Sequence, residues 1–463
     1  MLAPLFLLFV ASSSADESIV LVGDLGSAQG ILNPLAREFR GLPYAQPPVG
    51  ALRWNAPARV QSWGTSVFPA INDGPGCLQL CHEPPAACPT IIQEDCLYLN
   101  VFTPREPFAK PVPVFVWIHG GNFKDSSGGG VLYNGSELSA RQGVVVVSLN
   151  YRLGLQGFLF SNKTAEGGGI TGNFGLLDQR EALRFVQRYI GAFGGDPTRV
   201  TLGGQSAGAM STAVHLISPE SAGLYHGAVM LSEPFALPFR TPDSALDMAA
   251  VVLAASNCSF ATGMRGLPSP AACMRSLTAP ELLAVQQKTL YAIAADYREL
   301  LQIFMPLCPT TGTPEVPNWP LYSFQGRVGA LPVADVPIFL GTTSQEGMLF
   351  IYAGFNTTIP PIEYAALMEV IFGPLKGLEV LSHYPLPKTA VDARPTAAVV
   401  TTTAIFKCAV RNASLSLSGM PTRKSPIFAY EFSREYESPI ISPPLTISLS
   451  LYLTHTSTHH NHR

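Results

Sequence analysis

Between Thr201 and Ser211 the chain reads TLGGQSAGAMS, with Ser206 at the centre of the pentapeptide Gly204-Gln205-Ser206-Ala207-Gly208. A G-x-S-x-G pattern fixes only three positions, so its flanks decide what it means. Before it, Arg199 to Gly203 (RVTLG) reads as a short strand; after it, Ala207 to Leu216 continues as a helix. A serine on a strand-to-helix turn sits in strained backbone that only small neighbours tolerate, and its hydroxyl projects from the sheet. The alternative is a glycine-rich turn with a bystander serine, and the rest of the chain must choose between them.

Working outward, Pro113 to His119 (PVFVWIH) is a continuous apolar, β-rich run closed by Gly120-Gly121, and Gly143 to Asn150 (GVVVVSLN) is another. Both read as buried strands. Asp178 to Ile190 places Leu183, Val186 and Ile190 at helical spacing before the break at Gly194-Gly195-Asp196-Pro197. His226 to Ser232 (HGAVMLS) is one more buried strand. This alternation predicts an α/β protein with a mostly parallel sheet. From Thr241 to about Leu301 the character is helical: Thr241-Pro242 offers an N-cap with proline in the first turn, and Thr278 to Glu281 is a capping box. This stretch reads as a helical insertion over the sheet. Val336 to Leu340 (VPIFL) is again strand-like and leads into a loop ending at Glu346-Gly347. No internal repeat or linker divides the chain, so one large domain is expected.

The 463 residues carry 29 Lys and Arg against 32 Asp and Glu, a net charge of −3. No basic field exists to collect phosphates, which argues against a nucleic-acid partner. Leu2 to Ala11 is an apolar core of signal-peptide length, and Ser13-Ser14-Ala15 supplies small residues for cleavage. That run is too short to span a bilayer and no later segment is long and apolar enough, so no transmembrane segment is expected. Glycosylation sequons at Asn134, Asn162, Asn257, Asn356 and Asn412 agree with secretion, into the extracellular space or the secretory-pathway lumen. The eight cysteines are better read as disulfides than as a zinc site, because Cys81 and Cys88 are too widely spaced for a knuckle. No metal is called for. Oligomeric state leaves no signal in the sequence.

Two further segments give Ser206 a chemical context. His119-Gly120-Gly121-Asn122-Phe123 follows a strand directly, and main-chain N–H groups of such a turn, with that of Ala207, can hold a developing oxyanion. His119 itself is expected to pack against the loop rather than to catalyse. Glu346, at the carboxyl end of a strand well downstream, fits the Ser…Asp/Glu…His order of this architecture.

Six motifs in order, REFRGLPYAQPPVGALRW (37–54), EDCLYLNVFTP (94–104), VFVWIHGGNF (114–123), NYRLGLQGFL (150–159), the long run from Gly172 to Ser211, and VPIFLGTTSQEG (336–347), resemble the carboxylesterase/cholinesterase family of α/β-hydrolases. The resemblance covers about Ile19 to Tyr436. It implies an α/β-hydrolase fold, a large, mostly parallel mixed sheet flanked by helices, with the active site in a gorge. It implies Ser206 as nucleophile, Glu346 as acid, and disulfides Cys77–Cys96 and Cys258–Cys273. Ion pairs Arg53–Glu94 and Arg152–Asp178 carry over as structural. Nesting then adds Cys81–Cys88, and Cys308–Cys408 remains by elimination. The expected organisation is a signal peptide over 1–15, the hydrolase domain over 16–437, and a low-complexity tail over 438–463.

The departures are informative. Asn122 stands where the family's oxyanion loop has a third glycine, and the loop donors would be the N–H groups of Gly121 and Asn122. Asn follows glycine in tolerance of a left-handed φ, so the oxyanion hole is expected to persist. Gln205 replaces the Glu that cholinesterases place before the serine. The Cys77–Cys96 loop holds no aromatic residue, so the π face that grips choline is missing and neutral short-to-medium acyl esters are expected instead. The family's catalytic His motif has no counterpart after Glu346: His383, His455, His459, His460 and His462 lie in unrelated contexts. Two functions follow as expectations. One is a secreted serine esterase that acts through an acyl-enzyme and needs no cofactor, with a small-molecule ester as its partner. The other is a non-catalytic binding or adhesion member of the family. The chain as written, without an oriented His, is expected to be nearly inactive, with the tail after Tyr436 read as an aberrant C-terminus.

Overall fold

The computed structural model describes residues 17–434 except 107–108, 163–168, 259–268, 295–304 and 328. The expected signal segment and the tail from 438 onward, including His455, His459, His460 and His462, lie outside the described residues.

A single twisted sheet organises the described chain. Its strands are β1 (Glu17–Leu21), β2 (Ser27–Leu32), β3 (Ala36–Pro43), β4 (Phe68–Pro69), β5 (Tyr98–Pro104), β6 (Val112–Ile118), β7 (Val145–Leu149), β8 (Gly195–Gln205), β9 (Gly227–Leu231), β10 (Ile338–Thr343) and β11 (Ile427–Phe432). Their order is β1-β2-β3-β5-β7-β6-β8-β9-β10-β11, with β4 paired to β2. From β7 to β11 every neighbour is parallel; from β1 to β7 the pairs are antiparallel. The sheet is therefore parallel where the sequence predicts it. The antiparallel half was not legible, because strands such as AREFRGLP mix charged and apolar residues and take their state from their partners.

The expected elements appear with shifted ends. The helix predicted from Asp178 begins four residues earlier, at Phe174, and runs to Tyr189. Strand β8 is longer than RVTLG at both ends. The helix Pro242–Ala255 starts where expected, with the Thr241 hydroxyl accepting from the Ser244 N–H at 3.2 Å. The capping box forms in both directions: Thr278 N–H donates to Glu281 at 2.7 Å and Glu281 N–H to Thr278 Oγ1 at 3.4 Å.

The central core lies against both faces of the sheet, with Val114, Val116, Val147, Leu202 and Met230 fully or almost fully buried. The inserted helices have their own cluster around Val252 and Met274, and Tyr364, Met368 and Ala397 make another. Arg152 and Asp178, both wholly buried, form a bidentate pair at 2.7 and 2.8 Å, and the Arg152 N–H adds a third bond at 3.0 Å. Arg53 pairs with Glu94 at 2.6 Å and donates to the carbonyls of Arg275 and Leu277, so it ties the second motif to the helical insertion.

Disulfides join Cys77 to Cys96, Cys81 to Cys88 and Cys258 to Cys273. The pair Cys308–Cys408 does not form. Cys308 is buried beside its own Pro309 carbonyl, whereas Cys408 opens the helix Cys408–Ser418 on an exposed face. Elimination failed because chain bookkeeping says nothing about where two thiols point. Among the described residues no helix is long and apolar enough to cross a membrane.

Candidate active site

Strand β8 ends at Gln205, and Ser206 turns the chain at φ 55° and ψ −119° into the helix Ala207–Ile217. A non-glycine residue in that conformation costs about 1–3 kcal/mol and persists only where its surroundings impose it. The Ser206 N–H is held by the Leu231 carbonyl at 3.0 Å, and the Met210 N–H closes the first helical turn on the Ser206 carbonyl at 2.9 Å. Ala207 is the first residue of that helix, so its N–H has no intrahelical acceptor.

The loop after β6 meets this turn. Gly121 has φ +94°, and a Cβ there would lie 2.2 Å from the Asp125 carbonyl oxygen, so the position requires glycine. Asn122 and Phe123 follow, both at φ 57°. Phe123 is held there by burial and by edge contacts to Phe158 and Phe239, while the Lys124 and Asp125 N–H groups both donate to the Gly121 carbonyl. The side chain of His119 is buried, stacks on Tyr151 at 4.5 Å, and places Nδ1 2.8 Å from the Gly120 carbonyl. That contact makes Nδ1 the donor, and burial lowers the pKa to about 4, so the ring is neutral. It acts as packing for the loop, in line with its expected role.

Glu346 lies just past β10. Its carboxylate accepts the Thr343 N–H at 2.6 Å and a hydrogen bond from the Ser232 hydroxyl, and burial nevertheless raises its pKa. Ser232, at φ 54° on the end of β9, was not singled out in the sequence; the signal available was a serine immediately after an apolar strand adjoining the elbow. Ser206, Gln205, Ser232, Thr343 and Glu346 line one cavity of about 650 Å³, together with Trp117, Tyr133, Phe350 and Phe406. The structure thus brings Ser206 and Glu346 to one space.

Among the described residues no histidine lines that cavity. His383 ends the helix Pro374–His383, is exposed, and contacts the Glu379 carbonyl at 2.9 Å. His215 is buried between Ser221 and Gln179. The five sequon asparagines, Asn134, Asn162, Asn257, Asn356 and Asn412, are all exposed; Asn134 also borders the Ser206 cavity. Among the described residues no group of three metal-ligating side chains converges.

Comparison with known proteins agrees with this geometry. The model of the carboxylesterase family matches residues 18–462, past Tyr436 and into the tail. The chain is 34% identical to the "Crystal protein" of Dictyostelium discoideum over 90% of its own length and 72% of that protein's. It is 33% identical to the para-nitrobenzyl esterase of Bacillus subtilis (strain 168), over 79% of this chain and 70% of that one. A solved PNB esterase structure superposes with a TM-score of 0.73 at 31% identity, covering 91% of this chain and 81% of that one. A strained serine elbow, a carboxylate two strand-ends away across β9 and a family match over nearly the whole length agree: the chain belongs to the carboxylesterase family.

Proposed function

We propose that this protein is a secreted serine esterase that hydrolyses carboxylic esters through an acyl-enzyme on Ser206. The observation that carries the reading is the conformation of Ser206, a strained elbow whose side chain borders the same cavity as the carboxylate of Glu346. The Ser206 oxygen attacks the ester carbonyl and its proton passes to an imidazole. The N–H groups of Gly121, Asn122 and Ala207 take the charge that develops on the carbonyl oxygen, and Glu346 orients the imidazolium. The C–O bond to the alcohol then breaks as the imidazolium returns its proton to the leaving oxygen. Water attacks the acyl-enzyme by the same route and frees the acid. Ser232 and Thr343 act as positioning residues by holding Glu346. No step calls on a metal or an organic cofactor.

Relatives named as esterases support ester hydrolysis. Three disulfides and five exposed sequons support passage through an oxidising compartment. The second reading, a non-catalytic binding member, is favoured by the lack of a histidine at the cavity among the described residues. A fluorophosphonate probe separates the two, because one covalent event per site reads a weakened nucleophile over hours where a turnover assay reads little. An adduct mapped to Ser206 and lost in Ser206→Ala supports the esterase. Protein that stays unlabelled, or is labelled at scattered serines, favours the binding reading. A mass loss on N-glycanase treatment of protein from secreting cells checks the compartment.

A further inference from the structure

The disulfides Cys77–Cys96 and Cys258–Cys273 are sealed in the interior, with none of their four cysteines more than 1% exposed. Cys81–Cys88 is different. Both of its residues are half-buried, and a surface cleft of about 420 Å³ reaches Cys81. Gln79, His82, Pro89, Thr90 and Ile92 line the same cleft, whose volume suits a small molecule. The ring that this bridge closes is fastened to the Ser206 site. The Ala86 carbonyl accepts the Leu132 N–H at 2.8 Å, and Leu132 and Tyr133 border the Ser206 cavity. The Ala87 carbonyl accepts the Ser126 hydroxyl at 3.2 Å, and a Cβ on Gly130 would lie 2.9 Å from both of these carbonyl oxygens. His82 Nδ1 stands 3.4 Å from the Asp125 carboxylate, and the Asp125 N–H donates to the Gly121 carbonyl at 2.9 Å. Just before the ring, Gln79 holds Ser126 in both directions, Nε2 to its carbonyl at 2.8 Å and its N–H to Oε1 at 2.7 Å. Ser126 has φ 85°, a left-handed conformation that a non-glycine residue keeps only where its neighbours impose it. The bonds from Gln79 and Ala87 supply that restraint.

Half-exposed bridges exchange with thiols more readily than buried ones, because attack needs access to a sulfur. Resting on the assignment of Ser206 as nucleophile, we propose that Cys81–Cys88 is a thiol-exchange site, whose reduction by a small dithiol slackens the oxyanion loop and slows attack by Ser206. A thiolate in the cleft attacks Cys81 Sγ, and the sulfur–sulfur bond breaks with its electron pair going to Cys88 Sγ, which takes up a proton. The second thiolate of the reagent then attacks the reagent's own sulfur in the mixed disulfide, and Cys81 leaves as a thiolate and is protonated. Two protein thiols and one oxidised, cyclic reagent result. Opening the bridge releases residues 82–87 from a closed loop. The contacts of His82, Ala86 and Ala87 lie within that stretch, so the loop from Gly121 to Ser126 and the wall at Leu132 loosen together. Cys77–Cys96 keeps the larger loop closed, which confines the change to this end of the site.

Differential alkylation tests the chemistry. N-Ethylmaleimide first blocks exposed Cys408 in native protein, dithiothreitol is added, and iodoacetamide then marks the new thiols for peptide mapping. Cys81 and Cys88 should appear at least about tenfold faster than Cys77, Cys96, Cys258 and Cys273. In parallel samples taken at that point, fluorophosphonate labelling of Ser206 should be about tenfold slower, as a small displacement of the oxyanion donors dictates. Amide hydrogen exchange over residues 121–133 should be faster. Reoxidation with oxidised glutathione should restore both. The Cys81→Ser, Cys88→Ser double variant should label slowly from the start and be indifferent to dithiothreitol. Equal reduction rates at all three bridges overturn the proposal, as does selective reduction that leaves labelling and exchange unchanged. If Ser206 takes no label even before reduction, faster exchange over 121–133 upholds the thiol-exchange site while the esterase reading fails.

Discussion

A Cβ placed on Gly208 would fall 2.1 Å from the carbonyl oxygen of Ile118, so the first turn of the elbow helix rests directly on the end of the strand that launches the oxyanion loop. The two halves of the site, the serine turn and the loop of N–H donors, are held in register by this backbone contact rather than by side chains.

Gly208→Ala is therefore expected to force β6 and the elbow apart and to cost about 2–3 kcal/mol, the range of an overpacked core. Gly354→Ala is the control, because a Cβ there meets nothing within 4 Å. Urea unfolding should show a clear drop in midpoint for the first and little change or a small gain for the second. Equal midpoints for Gly208→Ala and the parent would contradict the contact.

Glu233 follows Ser232, is 2% exposed, and leaves Oε2 without a hydrogen-bond partner. Burial raises its pKa well above the ordinary 4.5. A raised acid pKa means that the folded state binds the extra proton. Below about pH 4.5 both states are protonated and no penalty exists; above it, stability falls by about 1.4 kcal/mol per pH unit until the folded pKa is passed. Glu233→Gln removes the titration, so it should be more stable than the parent at pH 7.5 and match it at pH 4. Urea midpoints at the two pH values measure the difference, and a gain independent of pH would assign it to packing.

The unpaired thiols make a direct count. Cys408 is exposed and should react with a thiol reagent in native protein. Cys308, buried and with its pKa pushed up to about 11, should react only after denaturation. One thiol native and two in guanidinium is the expected result; none in guanidinium would restore the Cys308–Cys408 bridge.

Turnover of p-nitrophenyl butyrate is expected to depend on Ser206 and on a histidine outside the described residues, since among the described residues none borders the Ser206 cavity. In the subtilisin series the loss of the histidine alone costs about 10⁶ in kcat. Ser206→Ala should abolish turnover, and turnover that survives the substitution would refute the expectation. If His455→Ala abolished it too, the base would be assigned to His455.

What the sequence determined by itself was whatever depends on near neighbours. Small residues around Ser206 announced the elbow, Thr278 and Glu281 announced a capping box that forms in both directions, and unbroken apolar runs announced the parallel strands, because buried strands must be apolar on both faces. The antiparallel strands β1, β2, β3 and β5 were silent, since strands that mix polar and apolar residues owe their state to the partner alongside. Tertiary structure alone decided the rest. It set the Ser232 hydroxyl on Glu346, residues more than a hundred positions apart. It left Cys308 inside and Cys408 outside, and stacked Phe350 on Phe406 at the Ser206 cavity. Each of these is a meeting of distant segments, and such a meeting is selected by the packing of the whole sheet and its helices, not by any stretch short enough to read as a motif.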